Sequence, residues 1–152
     1  MSVHSFLRDH GNWILEEATA SVGRSRLRHY DADGAVRIRK RLEELLSLTA
    51  LAVADRNLAP MVAHAQGIAQ QRYEAGFDLW EVQTAFNVLE EVIWGRMLEL
   101  LPPEEQGEAL GLVATVLGAG KDALARTYVS LATRTRTPAL DLHALFAGTE
   151  GV

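Results

Sequence analysis

The chain has 152 residues, 48% of them hydrophobic and 23% charged, which fits a single globular domain and excludes bulk disorder. The absence of cysteine excludes disulfides, Cys-ligated zinc and thiol catalysis. A formal charge of -5 argues against nucleic-acid binding, because that function needs a basic surface.

No apolar run approaches the roughly 20 residues that a membrane span requires. The first residues, MSVHSFLRDHGNW, are charged and interrupted, unlike a signal peptide. We therefore expect a cytoplasmic protein that binds neither membrane nor nucleic acid. We also expect one domain over residues 1–137 and a short C-terminal tail over residues 138–152.

Apolar residues recur at helical spacing in five long segments, and no segment of useful length alternates with period two. The pattern predicts an all-α protein with five long helices plus a short C-terminal helix built on residues 140–146. Long helices with short connections favour an antiparallel bundle or a globin-like stack. The predicted long helices cover about Val3 to Ala20, Asp33 to Arg56, Leu58 to Tyr73, Leu79 to Leu101 and Pro103 to Thr135.

A basic run lies between the first two helices and continues into the second. We interpret it as a solvated helix face, with the docking of an acidic partner as the alternative. Its seven members are Arg24, Arg26, Arg28, Arg37, Arg39, Lys40 and Arg41.

The turn between the third and fourth helices is well marked. Gly76 supplies the turn, Asp78 caps the fourth helix and Glu81 lies three residues further on, which is a capping box in its Asp form. Trp80, Val88, Trp94 and Leu98 add apolar surface beyond the main stripe of this helix. We therefore expect the fourth helix to be central and enclosed by its neighbours.

The fifth helix contains three glycines, each unfavourable by roughly 1 kcal/mol relative to alanine in a free helix. They are Gly111, Gly118 and Gly120. This density predicts close packing, a kink or a bound group near Gly118 to Gly120.

Three charged residues, Arg72, Glu90 and Lys121, fall on or beside apolar helix faces. A lone buried charge is unfavourable by several kcal/mol, so each needs a partner, a ligand or a route to water. Arg72 can meet Glu81 or Glu90, and Lys121 can share either acid. The alternatives are long side chains that reach outward along the core and a small pocket for an anionic or otherwise polar ligand formed by these four residues.

Two histidines, His10 and His64, are candidates for a haem or metal ligand, but no second histidine lies at i+3 or i+4 from His64 to chelate with it. His64 also suggests a phosphoacceptor on a helical bundle, although Ala65, Gln66 and Gly67 follow it without a lysine. We expect core or flank histidines and no cofactor or metal. No nucleophile elbow, phosphate-binding glycine loop or HExxH motif occurs, so we expect no enzyme.

The segment from Arg72 to Val82, RYEAGFDLWEV, is followed at apolar helical spacing by Ala85, Phe86 and Leu89. In this pattern the chain resembles the N-terminal domain of RsbRD-type RsbT co-antagonists, which are stressosome-associated regulators. The resemblance implies an all-α sensory or regulatory domain, similar in role to the non-haem globin-like domains of stressosome proteins. Such a domain works by dimerisation and signal transmission rather than catalysis.

Members of that family generally continue into an output domain, whereas this chain ends at Val152. We therefore expect it to act through a partner or to be one domain of a larger protein. The expected function is a bacterial signalling domain, a homodimer that contacts a STAS-domain or switch-kinase protein and senses a small ligand in its core. A globin-type ligand or haem carrier and a phosphorelay protein are the alternatives. Surplus apolar residues that a partner would cover are Trp13, Leu48, Leu51 and Phe146.

Overall fold

The computed structural model describes residues 2–27, 29 and 34–136. Within these residues the chain forms helices packed on one another and no strand, so the all-α prediction is confirmed. The predicted short C-terminal helix and the tail over residues 138–152 lie outside the described residues. The helices are α1 Val3–Asp9, α2 Gly11–Arg24, α3 Ala35–Asp55, α4 Ala59–Glu74, α5 Leu79–Leu100 and α6 Pro103–Arg136.

The single first helix predicted from Val3 to Ala20 is wrong, because the chain bends at His10 and forms α1 and α2. His10 leaves helical geometry at φ -102° and ψ 8°. Gly11, a poor helix former, follows at once, so the bend interrupts the helix where its propensity is lowest. The bend lets α1 pack on α3 while α2 packs on both α3 and α5.

The remaining helices assemble around one continuous hydrophobic core. The longest helix, α6, packs against α4, α5 and α3, and α5 lies between α2 and α6. Core side chains that are almost fully buried include Phe6, Ile14, Leu42, Phe86 and Leu117. None of the helices within the described residues is long and apolar enough to cross a bilayer.

The expectation that α5 is enclosed on all sides is wrong. Trp80 is 58% exposed, Trp94 37% and Leu98 53%, whereas Val88 is buried. The helices that pack on α5, chiefly α2 and α6, cover the side that carries Val82, Phe86 and Ile93. Within the described part of the chain, no helix covers the opposite side of α5, so its large apolar side chains face solvent.

Close packing predicted near Gly118 to Gly120 is found at Gly120. A Cβ atom added there would lie 2.8 Å from Cε1 of Phe86 and 3.0 Å from Sδ of Met61. Met61 belongs to α4 and Phe86 to α5, so α6 approaches both helices at this residue. A Cβ at Gly118 would meet nothing within 4 Å.

Candidate functional site

The connection between α4 and α5 turns at Gly76, whose φ of +84° is a conformation that glycine adopts without strain. The N–H of Phe77 donates to the carbonyl of Arg72 at 2.9 Å, which closes the end of α4. Two residues later α5 begins with the predicted capping box, which is confirmed. In one of the two hydrogen bonds of this capping box, the N–H of Asp78 donates to Oε1 of Glu81 at 3.1 Å.

Glu81 is more than a capping residue, because its side chain is only 2% exposed and is held by a residue distant in sequence. The backbone N–H of His29 donates to Oε2 of Glu81 at 3.1 Å, and Nδ1 of the His29 ring lies 2.7 Å from Oε1. His29 lies between α2 and α3. The carboxylate therefore holds His29 at the N-terminus of α5, a role that helical spacing alone did not predict.

Two opposing effects set the pKa of Glu81. Burial raises it, but the hydrogen bonds from the Asp78 and His29 N–H groups, the bond from the His29 ring and the attraction to that ring lower it. The hydrogen bonds and the attraction together outweigh the effect of burial, so the pKa of Glu81 lies below the ordinary glutamate value of 4.5. The folded protein therefore favours the ionised carboxylate more strongly than the unfolded chain does.

This depressed pKa predicts an acid-sensitive contribution to stability. The ionised Glu81 should contribute its full stabilisation above pH 4.5, which is the pKa of a glutamate without this shift. It should lose that contribution as the pH falls through its lower folded-state pKa. The gap in unfolding free energy between the wild type and Glu81→Gln should therefore shrink in this acid range. Urea denaturation between pH 7 and the acid limit of folding measures the gap, and a gap independent of pH would contradict the assignment.

Phe77 connects several elements at the turn between α4 and α5. Its ring stacks on His29 with centroids 4.7 Å apart. The guanidinium carbons of Arg41 on α3 and Arg72 on α4 lie 5.7 Å and 5.6 Å from the centroid of the same ring. The hydroxyl of Tyr128 on α6 donates to the Phe77 carbonyl at 3.1 Å. His29 and residues from α3, α4 and α6 thus meet at Phe77.

A second polar centre lies further along α5. Nζ of Lys121 on α6 donates to Oε2 of Glu90 at 3.2 Å and to Oδ1 of Asn87 at 3.0 Å. Glu90 is nine residues beyond Glu81, about 13 Å along the helix. The structure thus places Glu81 with His29 and Glu90 with Lys121, and a single ligand pocket formed by all four predicted residues stays a prediction.

Arg72 lines an opening of about 290 Å³ between α3 and α4, which we call the arginine groove. Arg41, Ile68 and Arg72 also line a small cavity of about 30 Å³ whose other walls are apolar, so the arginines lie between the core and the groove. From the sequence, Arg41 is predicted only as a member of the basic run. The arginine groove is lined by Arg41, Glu44, His64, Gly67, Ile68, Gln71 and Arg72.

His64 lies half-buried in the wall of the arginine groove. Burial lowers its pKa, Glu44 raises it and Arg72 lowers it further, with a net shift below the ordinary value of 6.5. The ring is therefore mainly neutral at pH 7. Its Nε2 atom is buried and makes no hydrogen bond within the described residues, which does not suit a phosphoacceptor.

The surroundings of the two candidate histidines do not fit a haem, which needs an axial ligand facing a wide apolar cavity. His64 borders openings whose walls carry charged residues such as Lys40, Glu44 and Arg72. His10 packs its ring against Phe6 at a centroid distance of 4.5 Å. Among the described residues, no group of three or more His, Cys, Asp or Glu side chains is arranged to hold a metal ion.

The chain was compared with protein families, curated proteins and solved structures. The model of the RsbT co-antagonist protein rsbRD N-terminal domain matches residues 13–148. The matched range contains α3 to α6 and the turn at Gly76. No curated protein and no solved structure matched the chain.

Proposed function

The chain belongs to the family of RsbT co-antagonist RsbRD N-terminal domains, a regulatory family in stressosome-related signalling, and we propose that it is a non-enzymatic sensory domain that acts by dimerisation. In this proposal the dimer contacts a regulatory protein of the STAS-domain or switch-kinase type, as the family implies. The observation that carries the dimer proposal is the exposed face of α5.

This face has large apolar side chains at both ends and polar ones between them. Its residues follow one another at alternating intervals of four and three, which places them on one stripe of the helix. Exposed apolar stripes mark interaction sites, and tryptophan is enriched in interfaces. The stripe, which we call the tryptophan face, consists of Trp80, Thr84, Asn87, Glu91, Trp94 and Leu98.

The occupant that we propose for the tryptophan face is a second copy of the chain in antiparallel orientation. A two-fold axis beside Asn87 would place Trp80 of one copy opposite Trp94 of the other, because each lies seven residues from Asn87. A parallel pair would instead set Glu91 against its own copy, and like charges are destabilising. Lys121 bonds to Asn87, so the centre of the face is held in place by α6.

Trp80→Glu tests this proposal. A charge in place of an interface tryptophan should weaken the dimer by about 2 kcal/mol or more, the size of an interface hot spot. Glutamate in the first turn of α5 suits the helix N-terminus, so the fold should persist. Light scattering over a concentration series gives the dissociation constant, and circular dichroism gives the helix content.

The matched control is Val36→Glu, which also places a charge at an exposed apolar residue but on α3, where Val36 is 86% exposed. It should leave the dimer unchanged. A wild-type chain that stays monomeric at high concentration would contradict dimerisation. Equal weakening by both variants would contradict the assignment of the interface to the tryptophan face.

A further inference from the structure

Two guanidinium groups from different helices converge on the arginine groove. Arg41 comes from α3 and Arg72 from α4, and both lie over the ring of Phe77. An aromatic ring attracts a guanidinium group on its face and limits the positions it samples. The two cations are therefore held near one opening by a shared contact, which reduces the ordering that a ligand would require.

We propose that the arginine groove binds a small molecule through an oxyanion group, either a phosphate or a carboxylate. Guanidinium groups donate hydrogen bonds in a planar fork that matches both groups. Gln71, in the same wall, adds an amide that also donates. The volume of about 290 Å³ corresponds to the lower end of small-molecule pockets, so the ligand is small.

Glu44 disfavours a ligand with several negative charges. It lines the groove, so a molecule with several negative groups would place one of them near this carboxylate. His64 adds no compensating positive charge, because its pKa is lowered and its ring is neutral at pH 7. The groove thus favours one oxyanion on a molecule that is otherwise neutral or that carries a hydrogen-bond donor toward Glu44.

Binding in the groove has a direct physical connection to α6. The arginines contact the Phe77 ring, and the Phe77 carbonyl accepts the hydrogen bond of Tyr128. The role of this site as the input of a signalling domain rests on the proposed function. Its ability to bind a ligand does not depend on the tryptophan face, because the residues that line the groove lie on α3 and α4.

Gly67→Asp provides a test that does not disturb the core. A Cβ at Gly67 meets nothing within 4 Å, so a side chain fits there, and aspartate adds a negative charge to the groove wall. Inorganic phosphate is titrated at constant ionic strength while the ring resonances of His64 are followed by NMR. The wild type should show saturable shifts, and Gly67→Asp should bind phosphate about tenfold more weakly or not at all.

Gly67→Asn is the matched control, since it has the same shape without the charge, and it should bind within about threefold of the wild type. A second pair compares Arg72→Met, which should lose about tenfold in affinity, with Arg126→Met on the exposed face of α6, which should lose none. Acetate, titrated in parallel, distinguishes a carboxylate from a phosphate preference.

The absence of saturable shifts with both anions would overturn the site, as would equal binding by Gly67→Asp and Gly67→Asn. The same titration on the Trp80→Glu variant separates the two proposals. Phosphate binding by a monomeric protein would support the groove irrespective of dimerisation, whereas a dimer that binds neither anion would refute the groove alone.

Discussion

Glu81→Ala is expected to lower the free energy of unfolding by about 3 kcal/mol, the upper end of the range for hydrogen bonds to a charged group, because several donors lose one buried carboxylate. The substitution removes the acceptor for the N–H groups of Asp78 and His29 and for the His29 ring. His29 keeps some access to water, with 28% of its side chain exposed, so water can replace part of its lost bond and the loss should not exceed this value. Urea denaturation at pH 7 measures the effect.

The matched control is Glu91→Ala on the same helix, where the glutamate is exposed and its replacement should change stability by about 0.5 kcal/mol or less. If Glu81 served only as a capping residue, its loss would cost about 1 kcal/mol. A measured value that small would show that the bonds to His29 contribute little. Weakened protection of the His29 amide from hydrogen exchange in Glu81→Ala would show directly that His29 is released.

Local sequence signals were enough to predict most of the fold. The 3.6-residue period located the helices, and Asp78 with Glu81 marked the start of α5 because a capping box is contained within four residues. The bend at His10 was missed, because the apolar stripe continues through it and α1 and α2 share a core face. Periodicity reports which face is apolar and does not report where the backbone turns to let two segments pack on different helices.

Contacts between distant segments were predicted less well. The ion pair of Lys121 and Glu90 was among the predicted pairings, because both residues lie beside apolar faces of adjacent helices. The bonds from His29 to Glu81 join residues 52 positions apart, and the sequence around His29 has no apolar helical periodicity that would signal them. Arg41 looked like any other member of a basic run. Only the packing of α3 on α4 places it over Phe77 and next to Arg72.

The tryptophan face shows a further limit of sequence reasoning. Trp80 and Trp94 count as apolar in any pattern, so their presence beyond the main stripe of α5 suggested a helix enclosed by neighbours. The number of neighbours is a property of the whole assembly, and within the described residues α2 and α6 leave one side of α5 open. An apolar stripe thus identifies a surface to be covered and does not say whether the same chain or another copy covers it.

Gly120→Val is expected to lower the free energy of unfolding by about 3 kcal/mol, at the upper end of the usual range for overpacking. The Cβ atom alone would approach the Phe86 ring to 2.8 Å and the Met61 sulphur to 3.0 Å, so one of these buried side chains or the helix itself must move. Valine adds two further carbons to that contact. Gly120→Ala should lie between the wild type and Gly120→Val, because the better helix propensity of alanine offsets part of the strain by about 1 kcal/mol.

Gly118→Val separates packing from propensity, since Gly118 lies in the same helix two residues earlier and a Cβ there meets nothing within 4 Å. Valine is a slightly better helix former than glycine, so this control should be neutral or stabilising by a few tenths of a kcal/mol, roughly the difference between their propensities. Urea denaturation of the three variants gives the comparison. If Gly118→Val and Gly120→Val destabilised equally, the cost would arise from the branched side chain within α6, and the close approach of α4 and α5 at Gly120 would not be its cause.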